Sequence, residues 1–283
     1  MRPGTRDNPA AMTASTIALL TVLIGSALGM ADAPEPTGIE NGETRALQAA
    51  VTEYSYRVLS QRRFDRENFT QGLEIHDNKL YVSSGLYGKS MIRVYQLPDM
   101  SLLQTVPIDP RIFAEGLTII GERLFLLSWR ERVMLVYALP DLTLIGQSPL
   151  PGQGWGATHD ENTLWFSDGS DRLYSADLGA GGKITALPVT LRGKPLRNLN
   201  ELEWVNGQIW ANLWQTDEIA QIDPATGVVV GLIDLSGLLP ADARLRDTDV
   251  LNGIAVDPET GAIWVTGKRW PWLYEIALEK PGP

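Results

Sequence analysis

The chain has 283 residues, 44% hydrophobic and 20% charged, which excludes a largely disordered or collagen-like polypeptide and allows one or two domains. It has no cysteine and only two histidines, His76 and His159. Disulfides, thiolate nucleophiles, Cys-ligated zinc or iron–sulfur sites and a His-rich metal site are therefore excluded. Lys and Arg number 24 against 34 Asp and Glu, a net charge of −10 that repels polyanions, so no nucleic-acid partner is expected.

The first 33 residues differ from the rest. Arg2 and Arg6 precede an apolar run, IALLTVLIGSAL, and small residues end in Ala31-Asp32-Ala33. Basic, apolar, then Ala-x-Ala reads as a secretory signal peptide over residues 1–33, so the protein is expected to be exported, to a periplasm or the medium. An N-terminal membrane anchor is the competing reading, but the apolar core is shorter than the ~20 residues of a spanning helix. Without cysteine a lipoprotein anchor is impossible, and nothing later predicts stable membrane insertion. Residues 34–52, rich in Pro, Gly and Glu, are expected to form a flexible lead-in to a compact domain over 53–279.

Within that domain the chain repeats. Phe69-Thr-Gln-Gly-Leu-Glu-Ile75, Phe113-Ala-Glu-Gly-Leu-Thr-Ile119, Gly154-Trp-Gly-Ala-Thr158, Leu199-Asn-Glu-Leu-Glu-Trp204 and Leu251-Asn-Gly-Ile-Ala-Val256 align. Their equivalent positions Gly72, Gly116, Gly156, Glu201 and Gly253 are 44, 40, 45 and 52 residues apart. Each is followed by a second strand-like run, such as Leu124–Ser128 or Ile263–Gly267, and by a third, such as Val133–Tyr137 or Trp272–Ile276. A fourth is visible in the first two repeats, at Ser101–Val106 and Thr143–Gln147. The runs are β-branched and aromatic and are separated by turn pairs such as Asp77-Asn78 and Asn206-Gly207. Four strands every 40–52 residues predict an all-β, five-bladed β-propeller. The fifth repeat stops after its third strand, near Ala277, and an unassigned strand, Ser55–Leu59, precedes the first. That N-terminal strand is expected to complete the last blade and close the ring. A ring closed in this way needs no second copy, so a monomer is expected.

In a propeller the innermost strands line the central channel, and the site is read from the residues at the channel's end. The innermost strands offer Phe69, Gln71, Glu115, Trp155, Asn200 and Asn252, and the ends of the second strands offer Trp129, Asp168, Trp214 and Lys268. Equivalent positions thus carry different, chemically able residues. Mid-strand Trp165, Trp210 and Trp264 are equally well explained as packing, and His159 is expected on a turn after a strand. No Ser-His-Asp arrangement, phosphate-binding loop or dinucleotide fingerprint is present. One carboxyl, Glu115, among indoles suggests proton transfer, because apolar surroundings raise a Glu pKa toward neutrality. Asn200 can hydrogen-bond a carbonyl or amide, and Lys268 can stabilise an oxyanion.

The segments FTQGLE, FAEGLT, GWGAT, LNELEW…NLWQTDEI and LNGIAVDPETGAIWVTGKRW resemble those of the plant- and bacterial-type glutaminyl-peptide cyclotransferases, over almost all of residues 54–279. The resemblance implies a five-bladed propeller that converts the N-terminal glutamine of peptides or proteins to pyroglutamate and releases ammonia, with no cofactor or metal. Carried over position by position, it implies Glu115 as the acid/base, Lys268 and Asn200 beside it, and Phe69, Gln71, Trp129, Trp155 and Trp214 as substrate-binding residues. GWGAT is shorter than the family's segment, which bears on Trp155. Two other readings stand beside it. A calcium-dependent lactonase or hydrolase would gather Glu115, Asn200, Asn252 and Asp168 around an axial metal, although Lys268 opposes this. A non-catalytic propeller would use the Trp pocket to bind peptides or sugars.

Overall fold

The computed structural model describes residues 50–280, apart from Asn162 and Ala180; the expected signal peptide and most of the lead-in lie outside the described residues. Short runs that alternate or are wholly apolar become strands. β1 covers Thr52–Arg63. The first blade is β2 (Thr70–His76), β3 (Lys79–Ser84), β4 (Met91–Gln96) and β5 (Ser101–Pro107). The second is β6 (Ala114–Ile120), β7 (Arg123–Ser128), β8 (Val133–Ala138) and β9 (Thr143–Pro149). The third is β10 (Ala157–Asp160), β11 (Thr163–Ser167), β12 (Arg172–Asp177) and β13 (Ile184–Pro188), followed by a small hairpin of β14 (Thr190–Leu191) and β15 (Lys194–Pro195). The fourth is β16 (Leu199–Val205), β17 (Gln208–Leu213), β18 (Glu218–Ile222) and β19 (Val229–Asp234). β20 (Leu251–Val256), β21 (Ile263–Gly267) and β22 (Trp272–Glu279) begin the fifth. Each blade is an antiparallel meander whose tight turns use the expected residues. Asp77 and Asn78 both adopt positive φ (48° and 56°), as do Asn206 and Gly207 (49° and 81°), the geometry that matches the twist of a two-residue hairpin.

Ring closure follows the sequence expectation and exceeds it. β1 pairs antiparallel with β22, from Ser55 opposite Glu279 to Arg63 opposite Trp272, and so supplies the outer strand of the fifth blade. Its first residues also pair in parallel with β19, Thr52 opposite Gly231 through Tyr54 opposite Ile233. One strand therefore joins the fourth and fifth blades into a continuous sheet. Fourth strands are present in the third and fourth blades as well (β13 and β19), where no run stands out from the residues alone.

The core is distributed over the seams between blades. Leu117, Leu124 and Leu135 meet Tyr81, Ile92 and Val94 at one seam. Leu127 and Leu150 meet Ala157 and Phe166 at the next. Equivalent clusters fill the remaining three seams, and Trp165, Trp210 and Trp264 each lie in one of them. These three indoles are packing residues. No blade buries its apolar faces alone, so closure of the ring is what completes the core.

Candidate active site

The innermost strands carry a repeated irregularity that builds the site. Pairing of the first and second strands slips between Thr70 and Gly72, Ala114 and Leu117, Leu199 and Leu202, and Leu251 and Ile254. The bulged residues are Gln71, Glu115, Asn200 and Asn252, with their neighbours Gly116, Glu201 and Gly253. A bulge releases a residue from the ladder and re-aims its side chain, so a strand that would alternate instead presents a polar group along the axis.

Three tiers of equivalent residues result. The first is Gln71, Glu115, Trp155, Asn200 and Asn252; the second is Gly72, Gly116, Gly156, Glu201 and Gly253; the third is Glu74, Thr118, Thr158, Glu203 and Ala255. The glycines let the strands converge. The Gly116 N–H donates to the Trp155 carbonyl at 2.6 Å, and a Cβ on Gly156 would collide with the Asn200 carbonyl. The fifth member of that tier, Glu201, is fully buried and accepts the N–H groups of Leu73 (3.2 Å) and Ile254 (2.9 Å) on two other blades. Its side chain occupies the axis where the glycines leave room.

Above the glycine tier lies a cavity of about 400 Å³, within the usual range for small-ligand sites. Eight of the ten candidates read from the sequence, the eight that the resemblance implies, line it: Phe69, Gln71, Glu115, Trp129, Trp155, Asn200, Trp214 and Lys268. Trp129, Trp214 and Lys268 occupy equivalent places just after the second strands. Their N–H groups donate to Phe113, Asn198 and Val250 at the start of each blade. The aromatic walls meet edge to face, Trp155 with Trp214 and Trp129 with Phe113, each pair 5.5 Å between centroids. Trp155 rests against Gly169, whose φ of +79° and missing Cβ leave a flat seat for the indole. The Gln153 side-chain amide oxygen accepts both indole N–H groups, from Trp129 at 2.8 Å and Trp155 at 3.1 Å, and so locks two walls together. Sequence reasoning missed Gln153, Phe113, Leu86, Gln215, Asp249 and Val250. Gln153 lies two residues before Trp155 within a Gly- and Pro-rich stretch, and was the one with a usable signal.

Glu115 and Lys268 are each 6% exposed on the cavity floor. The Ser83 hydroxyl donates to the Glu115 backbone carbonyl at 2.5 Å, which fixes the backbone while the carboxyl has no hydrogen-bond partner among the described residues. Burial raises the Glu115 pKa well above the ordinary carboxylate value; Lys268 pulls it down and Glu131 pushes it further up. Burial lowers the Lys268 pKa, and Glu115 and Asp249 oppose that. The Lys268 ammonium lies 5.1 Å over the Phe69 ring, and among the described residues it closes no ion pair within 4.0 Å. The floor thus holds an acid with raised affinity for its proton and an amine with lowered affinity, both shielded from water.

The other candidates sit elsewhere. Asp168 lies outside this lining; it accepts from the Tyr174 hydroxyl at 3.1 Å and the Ser170 N–H at 3.0 Å. Asn252 is fully buried and donates to the Thr70 carbonyl at 2.9 Å. Asp168 and Asn252 therefore do not share the cavity lining with Glu115 and Asn200, and among the described residues no group of three or more His, Asp or Glu side chains is arranged to hold a metal ion. His159 corrects the sequence expectation: it lies within β10, not on a turn, because β10 runs on to Asp160. Glu115 is also not the only buried carboxyl.

Glu74, Glu203 and His159 line a second cavity of about 440 Å³ on the far side of the glycine tier. His159 Nδ1 is 2.8 Å from the Thr118 hydroxyl and 4.0 Å from Glu74. Burial raises the Glu74 pKa to about 8 and lowers that of His159, so near neutral pH both are largely uncharged and form no ion pair. Glu201 and Glu203 are also pushed up by burial. The folded protein therefore holds protons that the unfolded chain, titrating near the usual Glu value, has released. The stabilisation is full below pH ~4.3 and is lost as pH rises through the folded pKa. We expect the melting temperature to fall between about pH 5 and pH 8 and Glu74→Gln to flatten that fall by several degrees. Parallel slopes for the two proteins would remove Glu74 from this account.

Fold and site together define a propeller enzyme whose axial pocket holds a buried acid–amine pair beneath indole walls. The sequence profile of the glutamine cyclotransferase family matches residues 28–278. A glutaminyl-peptide cyclotransferase of Arabidopsis thaliana is 38% identical over 251 residues, 86% of this chain and 77% of that protein. The crystal structure of Myxococcus xanthus glutaminyl cyclase superposes with a TM-score of 0.75 at 33% identity, covering 82% of this chain and all of that one. The chain belongs to the glutamine cyclotransferase family.

Proposed function

We propose that the chain cyclises the N-terminal glutamine of peptides and proteins to pyroglutamate and releases ammonia, with Glu115 carrying the proton and no metal taking part. The observation that carries this reading is the Glu115–Lys268 pair, buried on the floor of a cavity whose walls are indoles. The relatives that share the fold are named for the same reaction.

The reaction is intramolecular, so the first requirement is to hold the short side chain folded back on its own amine. Trp129, Trp155 and Trp214 suit that task, because flat apolar faces confine an uncharged carboxamide and exclude the water that would hydrolyse it. Gln71 and Asn200 on the floor offer amide donors and acceptors to fix its orientation. The free α-amine attacks the side-chain carboxamide carbon, a C–N bond forms, and the carbonyl oxygen becomes an oxyanion. Lys268 and Asn200 are the donors available to it. Glu115 accepts a proton from the attacking nitrogen and passes it to the departing amide nitrogen. The old C–N bond then breaks and ammonia leaves, with the ring lactam behind it. A carboxyl whose proton affinity is raised by burial suits both transfers.

The remaining parts of the proposal rest on sequence. Residues 53–279 form the catalytic domain, and the basic, apolar, Ala-x-Ala start supports export, in keeping with extracellular or periplasmic peptide substrates. Closure of the ring by β1 supports a monomer.

A small substrate panel tests the reading. A Gln-initiated dipeptide should be consumed with ammonia release, its N-acetylated form should be inert because the amine is blocked, and the Asn-initiated form should be inert because it cannot close the same ring. Ammonia released from the acetylated peptide would contradict attack by the amine.

A further inference from the structure

The longest interval between repeats, 52 residues from Glu201 to Gly253, has a structural cause. The connections that lead into the second and third blades are residues 108–113 and 150–156, whereas the one into the fifth blade runs over residues 235–250. The extra length does not drift over the surface. Leu235, Leu238 and Leu239 are buried against Trp270 and Tyr274. The Trp270 indole donates to the Asp249 carbonyl at 3.0 Å, and Arg269 and Arg66 bind Asp247 at 2.7 and 3.0 Å. Backbone bonds between Lys268 and residues 249 and 250 pin its end beside the cavity floor.

This pinned segment forms one side of a groove of about 290 Å³ that shares Gln215, Asp249 and Val250 with the axial cavity. Gln215 and Asp249 are exposed rim residues, so the groove opens where a chain leaving the cavity must pass. Beyond the shared residues it is lined by Thr216, Asp217, Arg244 and Thr248. The two threonine hydroxyls are engaged: Thr216 donates to the Leu213 carbonyl, and Thr248 accepts from Arg66. The Arg244 guanidinium and the Asp217 carboxylate have no hydrogen-bond or ion-pair partner among the described residues; Arg244 only stands 6.0 Å over the Trp270 ring. A free fork of donors and a free acceptor in one groove match the alternating C=O and N–H groups of an extended peptide, not a side chain of one sign.

We infer that the groove is a subsite for the backbone of the residues that follow the N-terminal glutamine, with Arg244 donating to a peptide carbonyl and Asp217 accepting from a peptide N–H. It deepens the cyclotransferase reading and rests on it. It makes the enzyme selective for peptide length and tolerant of sequence at those positions.

The test compares a Gln-initiated dipeptide with Gln-initiated tetrapeptides carrying acidic, basic or neutral residues at the third position, for wild type, Arg244→Ala and Asp217→Asn. Wild type should show a lower KM for every tetrapeptide than for the dipeptide. Arg244→Ala should raise the tetrapeptide KM about fivefold, the loss expected for one exposed charge-assisted bond, with kcat held and the dipeptide KM unmoved. Asp217→Asn, which keeps an acceptor, should give a smaller rise. Equal KM for the two lengths in wild type, or an equal shift of both lengths in Arg244→Ala, overturns the subsite and leaves the cyclotransferase reading standing. A tetrapeptide KM that follows only the sign of the third residue also overturns it. If wild type cyclises no peptide of either length, the cyclotransferase reading itself fails.

Discussion

Glu115→Gln should lower kcat about 10²–10⁴-fold, the usual worth of a positioned proton carrier, with the melting temperature held within a few degrees or raised. The expectation of a large kinetic effect rests on how the residue is held. Its carboxyl is buried, has no hydrogen-bond partner among the described residues, and faces a lysine that forms no close ion pair with it. The fold gains little from such a carboxyl, so its place on the cavity floor is explained by chemistry. Glutamine keeps the shape and the polarity but cannot take a proton. Because burial raises the Glu115 pKa, the carboxylate that must accept the amine's proton becomes populated only as pH rises. Wild-type kcat should therefore climb with pH through that raised pKa, and the residual kcat of Glu115→Gln should lack this limb. A variant with near-normal kcat and an unchanged pH profile would remove Glu115 from the proton path.

Gly156→Ala should strongly destabilise the fold. The added methyl would meet the Asn200 carbonyl oxygen and carbon and the Glu201 Cα, all backbone atoms of the next blade that cannot swing aside. Overpacking against backbone costs ~1–3 kcal/mol, which for a domain of this size lowers the melting temperature by about 2–12 °C. The displacement would also reach the pocket. Gly156 is held at 2.8 Å by the Ser167 hydroxyl, which donates in turn to the Asn200 carbonyl at 2.7 Å, and Trp155 is its neighbour. Gly146→Ala is the control, since no atom lies within 4 Å of a Cβ built there, and it should melt like wild type. Equal melting temperatures for the two variants would show that the glycine tier is not close-packed.

The architecture was legible because it is periodic. Five copies of one pattern fix the number of blades, and an unfinished last copy with a spare strand at the start identifies the closing pair. The same comparison between copies exposed the candidate site, since Glu115 stands where the other copies have Gln71, Trp155, Asn200 and Asn252, and Lys268 where two of them have Trp129 and Trp214. What escaped depends on contacts that no single repeat encodes. The strand β19 lies against β1 from far along the chain, and its Gly231 is explained only by the Gln221 and Tyr54 side chains packed there. The bulges that aim Gln71, Glu115 and Asn200 are a property of pairing register, which residue types leave open. Glu74 and Glu203 stood in the quoted motifs, but their burial follows from a third tier that appears only when the strands converge.

Product analysis of a Gln-initiated dipeptide, incubated with the enzyme and a metal chelator in heavy-oxygen water, tests the central claim most directly. Attack by the substrate's own amine predicts pyroglutamate and ammonia in equal amounts, with no heavy oxygen in the product. Glutamate carrying heavy oxygen would show that water is the nucleophile, and loss of turnover on chelation would show that a metal is needed; either result contradicts the account.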